Sequence, residues 1–464
     1  MFDLLERQQR LTTNQWKIFF AVVLGDMLDF FDFFLIGYVL AFLVRSWHLT
    51  FGQSAMILLA AGIGAVFGAL FWGWMADRIG RRKVFIATAL NFSFATGIMA
   101  LTPTHGGWLF LTVLRFFVGF GVAGLFAVDM PLLQEFVPAS KRGWISGISQ
   151  TLIPLGSLIG AVIGGYLGPV IGWRGLFAIG LLPALFTLLI RVWVPESPRW
   201  LIRMGRSEEA RKSLAWALQL PLEAIELPSS VPEVQKTEWR ELFRYPRSVV
   251  AGCLTGISLT GSAGLLLWAT TLFMLVLKIS PAEASKLMIW VGLSGILGRF
   301  FCSFLSDILG RRPAGVLVGL ISAVTLALAG YVHDAFIGPV SAFFLIVVVH
   351  TFFGNGSLAI TGGYMAEIWP ARLRASGLGL VYGFANLGKI IGPLGLALIV
   401  GTSNYVSPKA TVAAIVPAFY FLAFWYVLGA LAYWLVAFET KGRTIEEIDA
   451  ALTEPMPVEV PVRS

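Results

Sequence analysis

Residues 24–37 read LGDMLDFFDFFLIG and set Asp26, Asp29 and Asp32 three apart among leucines and phenylalanines. A carboxylate at bilayer depth costs about 2.5–3.5 kcal/mol on insertion scales, so three in one span point to work beyond folding. Three residues advance a helix by about 300°, which puts all three on one side, spread over roughly 120°. That side must meet protein or a water-filled cavity rather than lipid. Carboxyl groups held there can take up and give back a proton, and an arginine that alternately engages and releases one would load and unload it. Arg115, in RFFVGFGVAGLF, is just as costly where it lies and is the obvious partner of Asp32. The competing reading is a static buried ion pair.

Other polar residues inside apolar runs are candidates for binding a small molecule. Asp129 interrupts the run that begins at Arg115, and Gln150 lies eight residues after Arg142. Asn386 and Lys389 are about one turn apart on one face, where Lys389 can neutralise a substrate carboxylate or pair with an aspartate. Arg299 lies deep in its run, but its place eight before Asp307 also fits a loop network. His350 reads as a structural histidine, and Cys253 and Cys302 read as small buried hydrophobes. No metal or disulfide framework is suggested and no cofactor is expected.

The elements that carry these residues are set by lipid. Of 464 residues, 57% are hydrophobic and only 13% charged, with a mean hydropathy of +0.80. Soluble chains carry about 25% charge. Runs long enough to cross a bilayer are read at 16–44, 53–76, 84–103, 107–137, 144–171, 174–194, 248–277, 285–308, 314–332, 337–369, 376–402 and 411–438. The expected fold is all-α and integral to the membrane, with twelve transmembrane helices in two six-helix halves. The first run is preceded by a polar stretch and is long enough to stay as a span rather than be cleaved.

Charge gives the orientation. Arg115, Arg299 and Lys389 lie deep in spans, and only Arg45, Arg174, Lys278, Lys286 and Lys409 fall on the side reached after odd-numbered spans. The remaining lysines and arginines share the other side with both termini, which the positive-inside rule makes cytoplasmic. The net charge of +8 is therefore a topology signal, and its scatter over short loops argues against nucleic acid. The expected setting is a bacterial inner membrane, with the lipid bilayer, protons and a small-molecule substrate as partners and a monomer as the working unit.

The chain also repeats. GWMADRIGRRK (73–83) after span two is matched by SFLSDILGRRP (303–313) after span eight. EFVPASKRG after span four is matched by EIWPARLRASG after span ten, giving Glu135 with Arg142 and Glu367 with Arg374 at equal spacing. Such matches mark two parallel halves about an axis normal to the membrane. The divisions read as 1–190 for the first half, 191–247 for a cytoplasmic linker with short helices, 248–440 for the second half and 441–464 for a tail. Asp77, Arg81, Arg82, Glu135 and Arg142 in one half, and Asp307, Arg311, Arg312, Glu367 and Arg374 in the other, form a charged set able to latch the two halves on the cytoplasmic side. Each exposed pair is worth only about 0–1 kcal/mol, so the set acts as a network or not at all. Gly156, Gly160, Gly164 and Gly168 recur every four residues and suggest a smooth contact between the halves.

Gly73, Asp77, Arg78, Gly80, Arg81 and Arg82 match the loop signature of the major facilitator superfamily, and RFFVGFGVAGLF resembles its span-four motif. VPESPRWLIRMGRSEEA and FETKGRTIEEI resemble the sugar-porter branch, while DFFDFFLIG looks more like the metabolite:proton symporter branch. The resemblance covers the whole chain and implies transport by alternating access. It implies that Glu196 and Arg199 of PESPR join the loop network, that Asp32 and Arg115 form the proton-coupling pair with Asp29 in or beside the cavity, and that Gln150 donates to substrate. Span seven, LTGISLTGSAGLLLWAT, lacks the glutamines and asparagine that hexose carriers place there. A sugar needs many hydrogen bonds, so a proton-coupled importer of a small organic or aromatic acid is expected ahead of a sugar or polyol symporter. A transport-fold sensor is the alternative class. With four histidines and no nucleophile or metal motif, an enzyme is not expected.

Overall fold

The computed structural model describes residues 2–104, 106–226, 239–370 and 373–441. Among them ten helical stretches are long and apolar enough to cross a bilayer. One, Ser140–Thr187, has 48 residues, enough for two crossings, and it contains a turn at Gly172. A further helix, Arg81–Met99, has 19 residues and is less apolar. The architecture is therefore twelve crossings.

In the first half these are α1 (Thr13–Ser46), α2 (Phe51–Ile79), α3 (Arg81–Met99) and α4 (Gly107–Glu135). The broken α5 follows, in pieces Ala139–Leu152 and Leu155–Val162, and then α6 (Leu182–Trp193). In the second half they are α7 in pieces Pro246–Ile257 and Thr260–Val276, α8 (Pro281–Leu309), α9 (Arg311–Tyr331), α10 (Ala342–Glu367), α11 (Arg374–Val400) and α12 (Pro408–Leu435). Linker helices Pro198–Arg203 and Ser207–Leu218 lie between the halves. The linker residues 227–238 and the tail from 442 lie outside the described residues.

Local chemistry sets the helix ends. Thr12 with Gln15, Thr50 with Gln53, and Ser280 with Glu283 form capping boxes that satisfy the first free N–H groups of α1, α2 and α8. Gly80 and Gly310 separate α2 from α3 and α8 from α9 at φ of +104° and +103°, a region that only glycine enters cheaply. In α5, Pro154 has no N–H to give the Gln150 carbonyl four residues earlier, so the helix breaks there.

The two faces of the bundle differ. On the face away from the N-terminus, the α1–α2 and α11–α12 connections clasp each other. Phe51 N–H donates to the Asn404 carbonyl at 2.9 Å, Gly52 N–H to Thr402 at 3.0 Å and Val406 N–H to Leu49 at 2.9 Å. On the N-terminal face, Arg81 pairs with Glu135, and Arg311 with Asp307 and Glu367, each within its own half. The glycine stripe of α5 packs mainly inside its own half. Gly156 lies against Met27 and Phe31, Gly160 against Tyr38 and Gly168 against Phe42, all on α1, and only Gly164 also meets Ser285 of α8.

Candidate functional site

The helices bring the four buried acids together. Asp26, Asp29 and Asp32 on α1 are 1%, 3% and 1% exposed, and Asp129 on α4 is fully buried. The carboxyls of Asp26 and Asp129 face each other within hydrogen-bond reach. An ionised carboxylate only accepts, so such a contact becomes a hydrogen bond only when one partner carries a hydrogen. Among the described residues no donor reaches either oxygen of Asp26, while Met130 N–H donates to Asp129 Oδ1.

Asp32 is held differently. The Thr96 hydroxyl donates to its Oδ2 at 2.6 Å, and its Oδ1 receives no hydrogen bond. Arg115 is fully buried beside it, but its guanidinium donates to the backbone carbonyls of Asp32 at 3.5 Å and Phe33 at 3.0 Å. No ion pair links Arg115 to the Asp32 carboxylate. The two residues lie side by side, with Arg115 bonded to the α1 backbone.

Asp29 faces the second half, where Lys389 of α11 supplies the opposite charge. The Lys389 ammonium lies 4.7 Å from the centre of the Phe33 ring, and the Arg115 guanidinium lies 5.4 Å from the same ring. Phe33, 4% exposed, thus serves two cations from different helices. Nothing in its sequence position distinguishes it from neighbouring phenylalanines. Asn386 spends a side-chain N–H on the Tyr382 carbonyl at 3.0 Å.

A small cavity of about 30 Å³ lies between the halves. Phe30, Phe34 and Tyr38 of α1 and Pro154 and Ser157 of α5 form one wall. Thr270 of α7, Met288 and Arg299 of α8, and Thr351 and Asn355 of α10 form the other. Gln150, Asp129, Asn386 and Lys389 do not line it. Gln150 instead touches a lining residue, its carbonyl accepting from Arg299 Nη1 at 2.8 Å. The placement of Gln150 is explained by Pro154, which leaves that carbonyl without its helical donor.

The loop network is duplicated around its two glutamate pairs. Arg81 pairs with Glu135 at 2.7 Å, and Arg311 pairs with Glu367 at 3.0 Å and Asp307 at 2.5 Å. Glu196 accepts the N–H groups of Arg81 and Arg82 at 2.9 and 3.1 Å, and Glu439 accepts those of Arg311 and Arg312 at 2.9 and 3.0 Å. Each glutamate stands at a helix N-terminus, where the unsatisfied N–H groups favour an anion. Ser197 donates to Glu135, and Thr440 donates to Glu367. Burial alone would raise the Glu439 carboxyl, but N–H groups of Lys441, Arg311, Arg312 and Thr440 outweigh it and hold it below the ordinary carboxylate value. Glu439 and Thr440 are absent from the expected set, and the signal was the Glu-Ser of PESPR matched by the Glu-Thr of FETKGR.

Several expected partners are different. Arg142 pairs with Glu6 at 3.0 Å and reaches the Gln134 and Val137 carbonyls, because the N-terminal segment lies across it. Asp77 meets Arg203 of the linker at 3.7 Å in an exposed pair. Arg199 lies over the Phe2 ring at 5.1 Å instead of joining the network. Arg312 donates to the Tyr433 and Trp434 carbonyls. Gly73 has open space where a side chain would be. The Arg374 side chain lies outside what is described. The ion pairs of Arg81 and Arg311 stay within their own halves, and that of Asp77 ties its half to the linker.

The model of the family described as "Sugar (and other) transporter" matches residues 17–452. A niacin transporter of Acinetobacter baylyi is 30% identical over 459 residues, covering 96% of this chain and 99% of that protein. A 4-hydroxybenzoate transporter of Pseudomonas putida is 28% identical, covering 89% of this chain and 92% of that protein. The inward-open xylose transporter of E. coli superposes with a TM-score of 0.73 at 21% identity, over 94% of this chain and 99% of that one, a likeness of fold.

Proposed function

The chain belongs to the sugar (and other) transporter family of the major facilitator superfamily, and from that premise we propose that it is a proton-coupled importer of a small organic acid, aromatic or similarly planar. The observation that carries this reading is the set of interior charges. Asp29 of the first half opposes Lys389 of the second, next to Asp32, whose carboxyl accepts from Thr96 while Arg115 bonds the adjacent backbone. Charges that face each other across two moving halves change partners when the halves rock, and a carboxylate that loses its cation is stabilised by taking a proton. The transporters of niacin and 4-hydroxybenzoate among the relatives support an acid as cargo. So does α7, which reads LTGISLTGSAGLLLWAT and offers no glutamine or asparagine for a sugar.

In this reading both termini are cytoplasmic, the membrane is a bacterial inner membrane, and the clasped face is external. The state is then inward-facing, with proton and cargo discharged inside. Reconstituted protein given an inward proton gradient is expected to accumulate labelled nicotinate or 4-hydroxybenzoate above equilibrium and to lose the accumulation when a protonophore is added. Equilibration without accumulation would remove proton coupling, and uptake of xylose with neither acid would restore the sugar reading.

A further inference from the structure

We propose that Arg299 is the receptor for the substrate's carboxylate, holding it in the cavity between the halves through the Nε edge of its guanidinium. The inference rests on the organic-acid reading and gives it a binding residue.

Arg299 is the charged side chain in the cavity wall. Its geometry is fixed from one side only. Pro154 frees the Gln150 carbonyl, and Arg299 Nη1 fills the vacancy at 2.8 Å, across the boundary between α8 and α5. This anchors the planar group without neutralising it. Among the described residues no carboxylate lies within ion-pair distance of Arg299, and its Nε is buried with no hydrogen-bond partner. A partly buried, uncompensated guanidinium with a free edge is costly to keep unless something fills it. The matching group is a carboxylate, whose two oxygens meet the Nε and Nη2 hydrogens in parallel. Lys389 is the other cation in reach of the interior, but it faces Asp29 and the Phe33 ring and does not line the cavity.

The rest of the wall suits a flat acid. Phe30 and Phe34 of α1 lie with ring centres 5.3 Å apart and give an aromatic side. Asn355 of α10 adds a polar group for a ring heteroatom or hydroxyl. Because Arg299 belongs to the second half and its anchor to the first, an acid bound at the free edge also touches the one described side-chain hydrogen bond that crosses the boundary in the cavity.

Calorimetric binding of nicotinate, 4-hydroxybenzoate and their amides to the purified full chain tests this. Wild-type protein is expected to prefer the acids. Arg299→Gln should weaken both acids roughly 30-fold, the scale of a lost charged hydrogen-bond pair, and move the amides less than about threefold. Arg299→Lys, which keeps the charge as a point donor, should recover part of the acid binding; if Arg299→Gln does not fold, an acid-only loss in Arg299→Lys is the expected result. Unchanged acid binding in Arg299→Gln, or equal loss of acid and amide in both variants, overturns the assignment while leaving the acid reading intact. A wild type that binds neither acid removes the acid reading itself, and this assignment with it.

Discussion

The two halves are alike at the loops and unlike inside. Arg81, Glu135, Glu196 and Ser197 are copied by Arg311, Glu367, Glu439 and Thr440, with the same donors and acceptors. The interiors share no such pattern. The first half holds four buried aspartates and Arg115, while the second presents Arg299 and Lys389 to the centre. The difference teaches a division of labour. Rocking needs two equivalent hinged ends, so the ends stay duplicated. On the proposed function, coupling a proton to an anion needs opposite charges on opposite sides of the moving boundary, which the diverged interiors supply.

The largest expected break is at Arg115. Arg115→Gln strips the donors from two α1 carbonyls and leaves Asp32 without its neighbouring cation, at a cost of about 3–5 kcal/mol. Thermal melting and folded yield should collapse together with transport. A variant that folds and transports normally would make the first half's interior as plain as its loops.

Next come the copied glutamates. Glu196→Gln and Glu439→Gln should each slow transport by roughly tenfold, since each replaces the charged acceptor at two helix-end N–H groups with a neutral amide, and substrate affinity should hold within about twofold. A large effect from one and none from the other would break the symmetry argument. The sign of the pH effect follows for Glu439. Its carboxyl is held below the ordinary value, so its contribution is present above that value and lost as pH falls through the depressed one. Melting of wild type, but not of Glu439→Gln, should therefore steepen in dependence on pH only on the acid side.

Lys389→Gln is expected to be milder. Acid binding should fall less than about threefold, because Lys389 lies outside the cavity, while the pH profile of uptake shifts because Asp29 loses its opposing charge. Loss of acid binding with an unmoved profile would return Lys389 to the substrate. The smallest effect belongs to Arg203→Ala. The Arg203–Asp77 pair is 3.7 Å long and exposed, so melting should change by less than about 1 kcal/mol of stability.

Much of this was legible in the sequence. Hydropathy marks the spans, the doubled loop motifs mark the halves, and three aspartates in an apolar run mark a buried acidic cluster, since each signal is local and costly to fake. What was not legible is which groups meet through space. Arg142 turns to Glu6 because the N-terminal segment crosses it, and Arg299 enters the cavity because a proline on another helix frees a carbonyl. Neither fact has a spacing in the chain. The paired roles of Glu439 and Thr440 were readable from the second copy but hidden by different neighbours.

The central claim is that the first half carries the proton for an acid bound between the halves. Asp32→Asn tests it most directly, because Arg115 bonds the backbone carbonyls of residues 32 and 33 and keeps those partners in the variant. The amide also keeps an oxygen for the Thr96 hydroxyl. Reconstituted Asp32→Asn should therefore fold, bind nicotinate or 4-hydroxybenzoate and exchange it in counterflow at near wild-type rates, while accumulation driven by a proton gradient disappears. Accumulation at wild-type levels would take Asp32 out of the mechanism, and loss of counterflow along with folding would return Asp32 and Arg115 to a static structural pair.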